Sequence, residues 1–323
     1  MEVVLRLDTK HQLGEGIVWI EDAAAQMGAF FCVDIHDRNI VSFGVDSASC
    51  RIWEAPERVG WIIPTAVTGL YLAGFQSGFA LLGLGDGVDV LKVTPAFPDR
   101  PFMRLNDACA DCNGVVWAGS LNCDDETSSD GELFRYSADD RLIAVDTDYC
   151  VANGPAISPD NRLFLHTDSG RRIIYAFDFD ATYSALQNKR IWRSFDVAEG
   201  SPDGMCFDAA GNLWVAHWGA GLVSQFAPTG ALLQRVRLPV SNVTNLAFGG
   251  PHLDRLFVTT ASVGLDAETL SQERLAGGIF EIVGHDSTGL PTRRFGSRQD
   301  RPNSLPPSAS LVTDSTTPIV KRQ

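Results

Sequence analysis

Residues 200–218 read GSPDGMCFDAAGNLWVAHW, and their parts decide the fold. Asp208 to Asn212 has the composition of a turn, and Leu213-Trp214-Val215-Ala216 that of a short apolar strand. Ahead of both, Asp203 stands between Pro202, which locks φ, and Gly204, which accepts almost any φ. The turn-and-strand unit recurs. Equivalent strands begin at Phe30, Leu70, Val115, Leu163 and Leu256. Anchored at Phe31, Leu72, Trp117, Phe164, Trp214 and Phe257, the spacings are 41, 45, 47, 50 and 43 residues. Between the anchors lie further strand-like runs, among them 131–136, 172–177, 221–226 and 278–283. A period of 40 to 50 residues with about four strands per repeat specifies an all-β, six-bladed β-propeller. Met1 to Asp8 forms a spare strand, expected beside 278–283 so that the ring closes without an open edge. Helical character is confined to Asp266–Ala276 and Ala181–Asn188.

Composition narrows the function. The net charge of −14 repels nucleic-acid phosphate, and the densest basic pairs, Arg171-Arg172 and Arg293-Arg294, make no patch. No apolar run reaches membrane-spanning length, and residues 1–10 lack a signal-peptide core, so a cytoplasmic protein without nucleic-acid or membrane partners is expected. It is expected to act as a monomer. Seven scattered cysteines do not make a disulfide framework, and Cys109-x-x-Cys112 lies in a strand-turn context that argues for a structural pair. Ser297 to Gln323 has no aromatic residue and four prolines, so residues 1–296 are expected to form the propeller and 297–323 a disordered tail.

In a propeller, function collects where equivalent positions of different repeats meet in the central channel. Asn106, Asn153 and Asp203 each precede their anchor (Trp117, Phe164, Trp214) by 11 residues, and Glu15 stands ahead of Phe31 with an insertion between. Carboxylates and an amide suit a divalent cation. The competing reading is turn duty, since Asn-Gly and Asp-Gly are common turn dipeptides. Arg104 is placed either at the channel mouth or in a surface ion pair with Asp107. Asp124 lies either at the same mouth or in a solvated loop. His166 and His217 read as rim or inter-blade packing residues. No nucleophilic-serine or phosphate-loop motif is present.

Several segments in order resemble the gluconolactonase/regucalcin (senescence marker protein) family and its bacterial sugar lactonases. They are Leu13-Gly-Glu-Gly-Ile-Val-Trp19, Arg104-Leu-Asn-Asp107 with 111–119, 153–160, Thr167-Asp168, Pro202-Asp-Gly-Met205 and 244–260. The resemblance implies one divalent metal, Ca, Zn, Mn, Mg or Fe, bound by Glu15, Asn153 and Asp203. It further implies substrate contacts from Arg104 and Asn106. The acidic substrate contact of some members falls at Asp124, with Asp for Glu. Ile17 stands where many relatives have Pro, and no long lid loop is evident between Leu13 and Trp19, which implies a more open mouth. The expected reaction is hydrolysis of an aldonolactone (glucono-, xylono- or arabinonolactone) to the sugar acid, within carbohydrate metabolism, with Asp203 as general base. The alternatives are a propeller esterase or organophosphatase, and a calcium-binding propeller without catalysis.

Overall fold

The computed structural model describes residues 1–22 and 27–297. Twenty-four strands form six four-stranded antiparallel sheets among these residues. Each sheet runs outward from an innermost strand: Gly14–Asp22, Val59–Pro64, Met103–Ala110, Ala152–Ile157, Ser201–Phe207 and Val243–Gly249. Every innermost strand packs against the next and the sixth against the first, which closes the ring around a channel. The six anchors are the second strands of the six blades. The all-β, six-bladed propeller expected from the repeat is therefore the observed fold.

The spare N-terminal strand behaves as its composition suggests. Glu2–Leu7 pairs antiparallel with Ile279–Val283 and completes blade six, joining the first residues of the chain to its last strand. One α-helix is formed among the described residues, Ala267–Gln272, started by Asp266, whose carboxylate accepts from Thr269 N at 2.8 Å. The second expected helix is not formed. Residues from Ala185 to Ser194 make the outer strand of blade four, because pairing with Ile173–Asp180 outweighs the weak local helical pattern. No helix among the described residues is long and apolar enough to cross a membrane.

The turn residues quoted above have a specific task. Asp111 Oδ1 accepts from Asn113 N and Val115 N at 2.8 and 3.0 Å, while Oδ2 takes the indole N–H of Trp117 at 3.1 Å. Asp208 repeats the arrangement with Asn212 N and Trp214 Nε1 at 2.8 and 3.2 Å. One buried carboxylate thus closes the hairpin and satisfies the tryptophan that fills the interface between blades. Both indoles are fully buried. No disulfide forms among the described residues; burial pushes the Cys109 thiol up, which leaves it inert.

The segment after the last strand, residues 284–297, has no regular structure yet touches all six blades at one end of the channel. Ala209 N donates to Thr288 O, and Gly289 N to Leu253 O, at 2.8 and 2.7 Å. Thr292 Oγ1 bonds Trp19 O, Arg293 bonds Asn161 Oδ1, and Gly296 N donates to Gly114 O. Phe295 N donates to Pro64 O, and its ring stacks on Tyr136 with centroids 5.5 Å apart. This strap crosses one end of the channel, its lower end. Of the expected tail, residues 298–323 lie outside the described residues.

Candidate active site

Glu15, Asn106, Asn153 and Asp203 lie in the innermost strands of blades one, three, four and five, and all are 4% exposed. None is in a turn. Each adjoins a register shift of its strand: between Glu15 and Val18, Leu105 and Ala108, Asn153 and Ala156, and Pro202 and Met205. A bulge turns the local side chains out of the sheet's alternation, and here it turns them toward the channel. The Asn-Gly and Asp-Gly pairs are thereby explained without turns. Gly154 has φ +43°, and a Cβ on it would stand 2.6 Å from Asp203 O of the next blade. A Cβ on Gly204 would stand 2.3 Å from the Asn245 side chain, again one blade on. Glycine lets neighbouring blades touch at the level of the site. The Pro202-Asp203-Gly204 bend is this bulge.

The shared offset of 11 residues conceals a one-residue displacement. Trp117 and Trp214 pair with Cys109 and Cys206, but Phe164 pairs with Ile157, because the hairpin of blade four is one residue shorter. Asn153 consequently sits just ahead of its bulge, whereas Asn106 and Asp203 lie within theirs.

A hydrogen-bonded chain fixes the amides. Arg104 Nη1 donates to Asn106 Oδ1 at 2.5 Å, and Asn106 Nδ2 to Asn153 Oδ1 at 2.7 Å and Ala152 O at 2.8 Å. Asn153 Nδ2 donates to Ser169 Oγ at 3.0 Å, and Ser169 Oγ to Pro202 O at 2.7 Å. Arg104 is buried at 6% exposure, bonds Asn106 and lines the cavity above the site, and no ion pair with Asp107 forms among the described residues.

Asp107 instead lies beneath the site. Its carboxylate accepts from Ala108 N at 2.8 Å, Gly154 N at 3.0 Å and Asn245 Nδ2 at 3.2 Å. The same Asn245 amide reaches Glu15 Oε2 at 3.2 Å. Sequence reasoning missed both roles. Asn245 had a signal, since blade six also carries a polar residue at its register shift, between Val243 and Asn245. Asp107 had none, because it follows Asn106 and strand alternation would send one of the two away from the channel.

Burial pushes Glu15 up to about 8, with the Asp107 charge adding to the effect, and pushes Asp107 up to about 6. Asp203 is raised well above the ordinary carboxylate value by burial, then by Glu15 and Asp107. Its Oδ1 is buried and has no hydrogen-bond partner among the described residues. Three buried carboxylates face one buried guanidinium, which leaves two negative charges uncompensated when all ionise. A divalent cation matches both the charge and the orphaned oxygen. Among the described residues no three His, Cys, Asp or Glu side chains form a ready metal cage, so a cation held by Glu15 and Asp203 would need a further oxygen, of which the Asn153 amide is the candidate. Those hard oxygen donors fit a divalent ion.

Above these residues opens a cavity of about 360 Å³. Its lining includes the polar side chains of His36, Arg104, Asn106 and Glu126 and the apolar ones of Leu13, Leu121, Val151, Trp218 and Val263. Asp124 is not among the lining residues. It is exposed, and its N–H donates to Asn122 Oδ1 at 2.9 Å in a tight turn, which carries its side chain out and brings Glu126, two residues on, to the mouth. His166 and His217 are fully buried within blades, His166 against Tyr149 at 4.6 Å and His217 against Phe195 at 5.3 Å, as packing residues.

Comparison with known proteins agrees with this architecture. Residues 13–262 match the family described as SMP-30/Gluconolactonase/LRE-like region. Regucalcin of Danio rerio is 30% identical over 285 residues, 87% of this chain and 94% of that protein, and regucalcin of Bos taurus is 32% identical over 303 residues, 90% and 96%. Among solved structures, a luciferin-regenerating enzyme superposes with a TM-score of 0.82 at 27% identity, covering 91% of this chain and 99% of that one. The chain belongs to the SMP-30/gluconolactonase family.

Proposed function

We propose that the protein hydrolyses a sugar lactone to the open-chain sugar acid with a divalent metal at Glu15, Asn153 and Asp203. The observation that carries the reading is Asp203 itself. It is a buried carboxylate with an unpartnered oxygen, set beside Glu15 at the base of a polar cavity. The family supports lactone hydrolysis in general, and a Xanthomonas campestris gluconolactonase shares the fold with a TM-score of 0.68 at 20% identity. A structure titled as a calcium-binding regucalcin from Agrobacterium tumefaciens has a TM-score of 0.82 at 22% identity, and its title is in keeping with a cation.

When bound, the cation would supply Lewis acidity at the lactone carbonyl and hold the carboxylates in their charged form. The protein supplies the rest. Asp203 accepts a proton from the attacking water. Arg104 presents its guanidinium to ring hydroxyls, with Asn106 held in place by the amide chain through Asn153 and Ser169. Glu126 provides the acidic substrate contact assigned above to Asp124, because it lines the cavity and Asp124 does not.

A panel of five- and six-membered aldonolactones, run beside carboxylic and phosphate esters on chelated protein refilled with each metal in turn, tests the proposal. Metal-restored turnover of aldonolactones supports it. Turnover confined to phosphoesters, or unaffected by chelation, rejects it.

A further inference from the structure

The upper cavity has both charged and apolar lining residues, drawn from several blades. Blade three provides Arg104, Asn106 and Glu126. In a six-membered ring the blade facing it is blade six, whose loop provides Val263, flanked by Trp218 of blade five and Leu13 of blade one.

These three apolar residues pack as one cluster with Ala261. The cluster is pinned by backbone bonds. Leu13 forms a bridge with Ala261, Val263 N donates to Gln12 O at 2.9 Å, and the buried Asn242 amide donates to Val263 O at 2.9 Å. Trp218 ends the strand Leu213–Trp218 directly after the buried His217, and its neighbour across the ladder is Ser201, two residues from Asp203. Gly264 also lines the cavity, and even a Cβ built on it would come no closer than 4.0 Å to the indole. Trp218 is thus half-buried, backed by a fixed apolar cluster and adjacent to the reacting residues.

We propose that Trp218, backed by Leu13 and Val263, is a specificity determinant of this site: an apolar platform for the C–H face of a ring whose hydroxyl-bearing edge is held across the cavity by Arg104 and Glu126. For the substrate this deepening rests on the lactonase reading. It commits the site to lactones that carry hydroxyls along one edge and C–H, deoxy or alkyl positions toward Trp218. An aromatic face favours such C–H surfaces through dispersion and area burial and offers no hydrogen bond to a hydroxyl. A platform binds the ring in ground state and transition state alike, so its loss should appear in KM and spare kcat.

The test is a kinetic comparison of Trp218→Ala and Trp218→Phe with the unaltered protein. Trp218→Ala should raise KM for the best aldonolactone roughly tenfold, with kcat within about threefold, and Trp218→Phe should restore KM to within about threefold. An unchanged KM in Trp218→Ala, or a fall in kcat at constant KM, overturns the proposal. Thermal melts of both variants identify a loss that is merely structural. If the unaltered protein turns over no lactone, the lactonase reading fails by itself, and the platform is judged by binding. In saturation-transfer NMR with methyl β-D-glucopyranoside, signal at the ring C–H protons should be present in the unaltered protein and Trp218→Phe and absent in Trp218→Ala. Absence from the unaltered protein, or persistence in Trp218→Ala, overturns the platform.

Discussion

At the upper end of the channel the innermost strands present Glu15, Asn106, Asn153 and Asp203; at the lower end the same strands present Trp19, Ile63, Cys109, Ile157, Cys206 and Ala247. Five of these lower six pair with the aromatic or leucine anchor of their second strand, and Trp19 pairs with Phe30, next to the anchor Phe31. They line a cavity of about 210 Å³ together with strap residues 290–293. The cavity at the upper end also has apolar walls, and it is there that the buried charges of Glu15, Arg104 and Asp203 gather. What separates the two halves is the bulge carried by every innermost strand. Below it, regular pairing keeps the pleat and packs the blades. Above it, the broken register frees polar side chains to face the channel, and glycines let the blades meet around them.

The most damaging way to break this contrast is at its charged end. Asp203→Asn should lower lactone turnover by about a thousandfold or more while the thermal midpoint stays within a few degrees, because the side chain is replaced by a near-isostere. Turnover near the unaltered level would end its assignment as the base.

At the lower end, ending the chain at Gly284 should lower Tm by about 10 °C or more, whereas ending it at Ser297 should leave Tm within about 2 °C. Calorimetry on both truncations checks this; equal melts would show that the strap is not part of the closure. A finer probe is Phe295→Ala, which removes the ring stacked on Tyr136 and should cost about 2 kcal/mol in denaturant titration without affecting KM.

The effect expected to be smallest at neutral pH concerns the walls between blades. Burial holds His166 down to about 3, and neither ring nitrogen has a partner among the described residues. In the unfolded chain it titrates near 6.5, so between those values the unfolded state binds the additional proton. The stability it contributes is fully present above pH 6.5 and is lost as pH falls toward 3, at about 1.4 kcal/mol per pH unit. His166→Phe should flatten this part of the pH–stability profile; an unchanged slope would show that another group titrates there.

Much of this contrast was legible in the sequence. The anchors announced themselves because a fully buried strand needs a run such as Leu213-Trp214-Val215-Ala216, and the turns because only a few residues close them. The spare strand at Glu2–Leu7 could be matched to its edge for the same reason. The outer strand Ala185–Ser194 was illegible: it is largely exposed, so burial imposes no pattern on it. The strap was illegible for a related reason, since its grip is through backbone bonds and single side chains such as Phe295 and Thr292. Asp124 and Glu126 show the limit of counting along the chain. Both are acidic and lie two residues apart, and a turn held by Asn122 decides which one reaches the cavity.

By itself, then, the sequence determined the number of blades, the way the ring closes and the level at which polar residues enter the channel, because these follow from periodicity, and periodicity is local. The tertiary structure alone decided that Asp107 and Asn245 underlie Glu15, that Arg104 turns to Asn106 and away from Asp107, and that Trp218 and Arg104 line one cavity. Those relations join residues as many as 230 positions apart, and only the closing of the ring brings them within reach of one another.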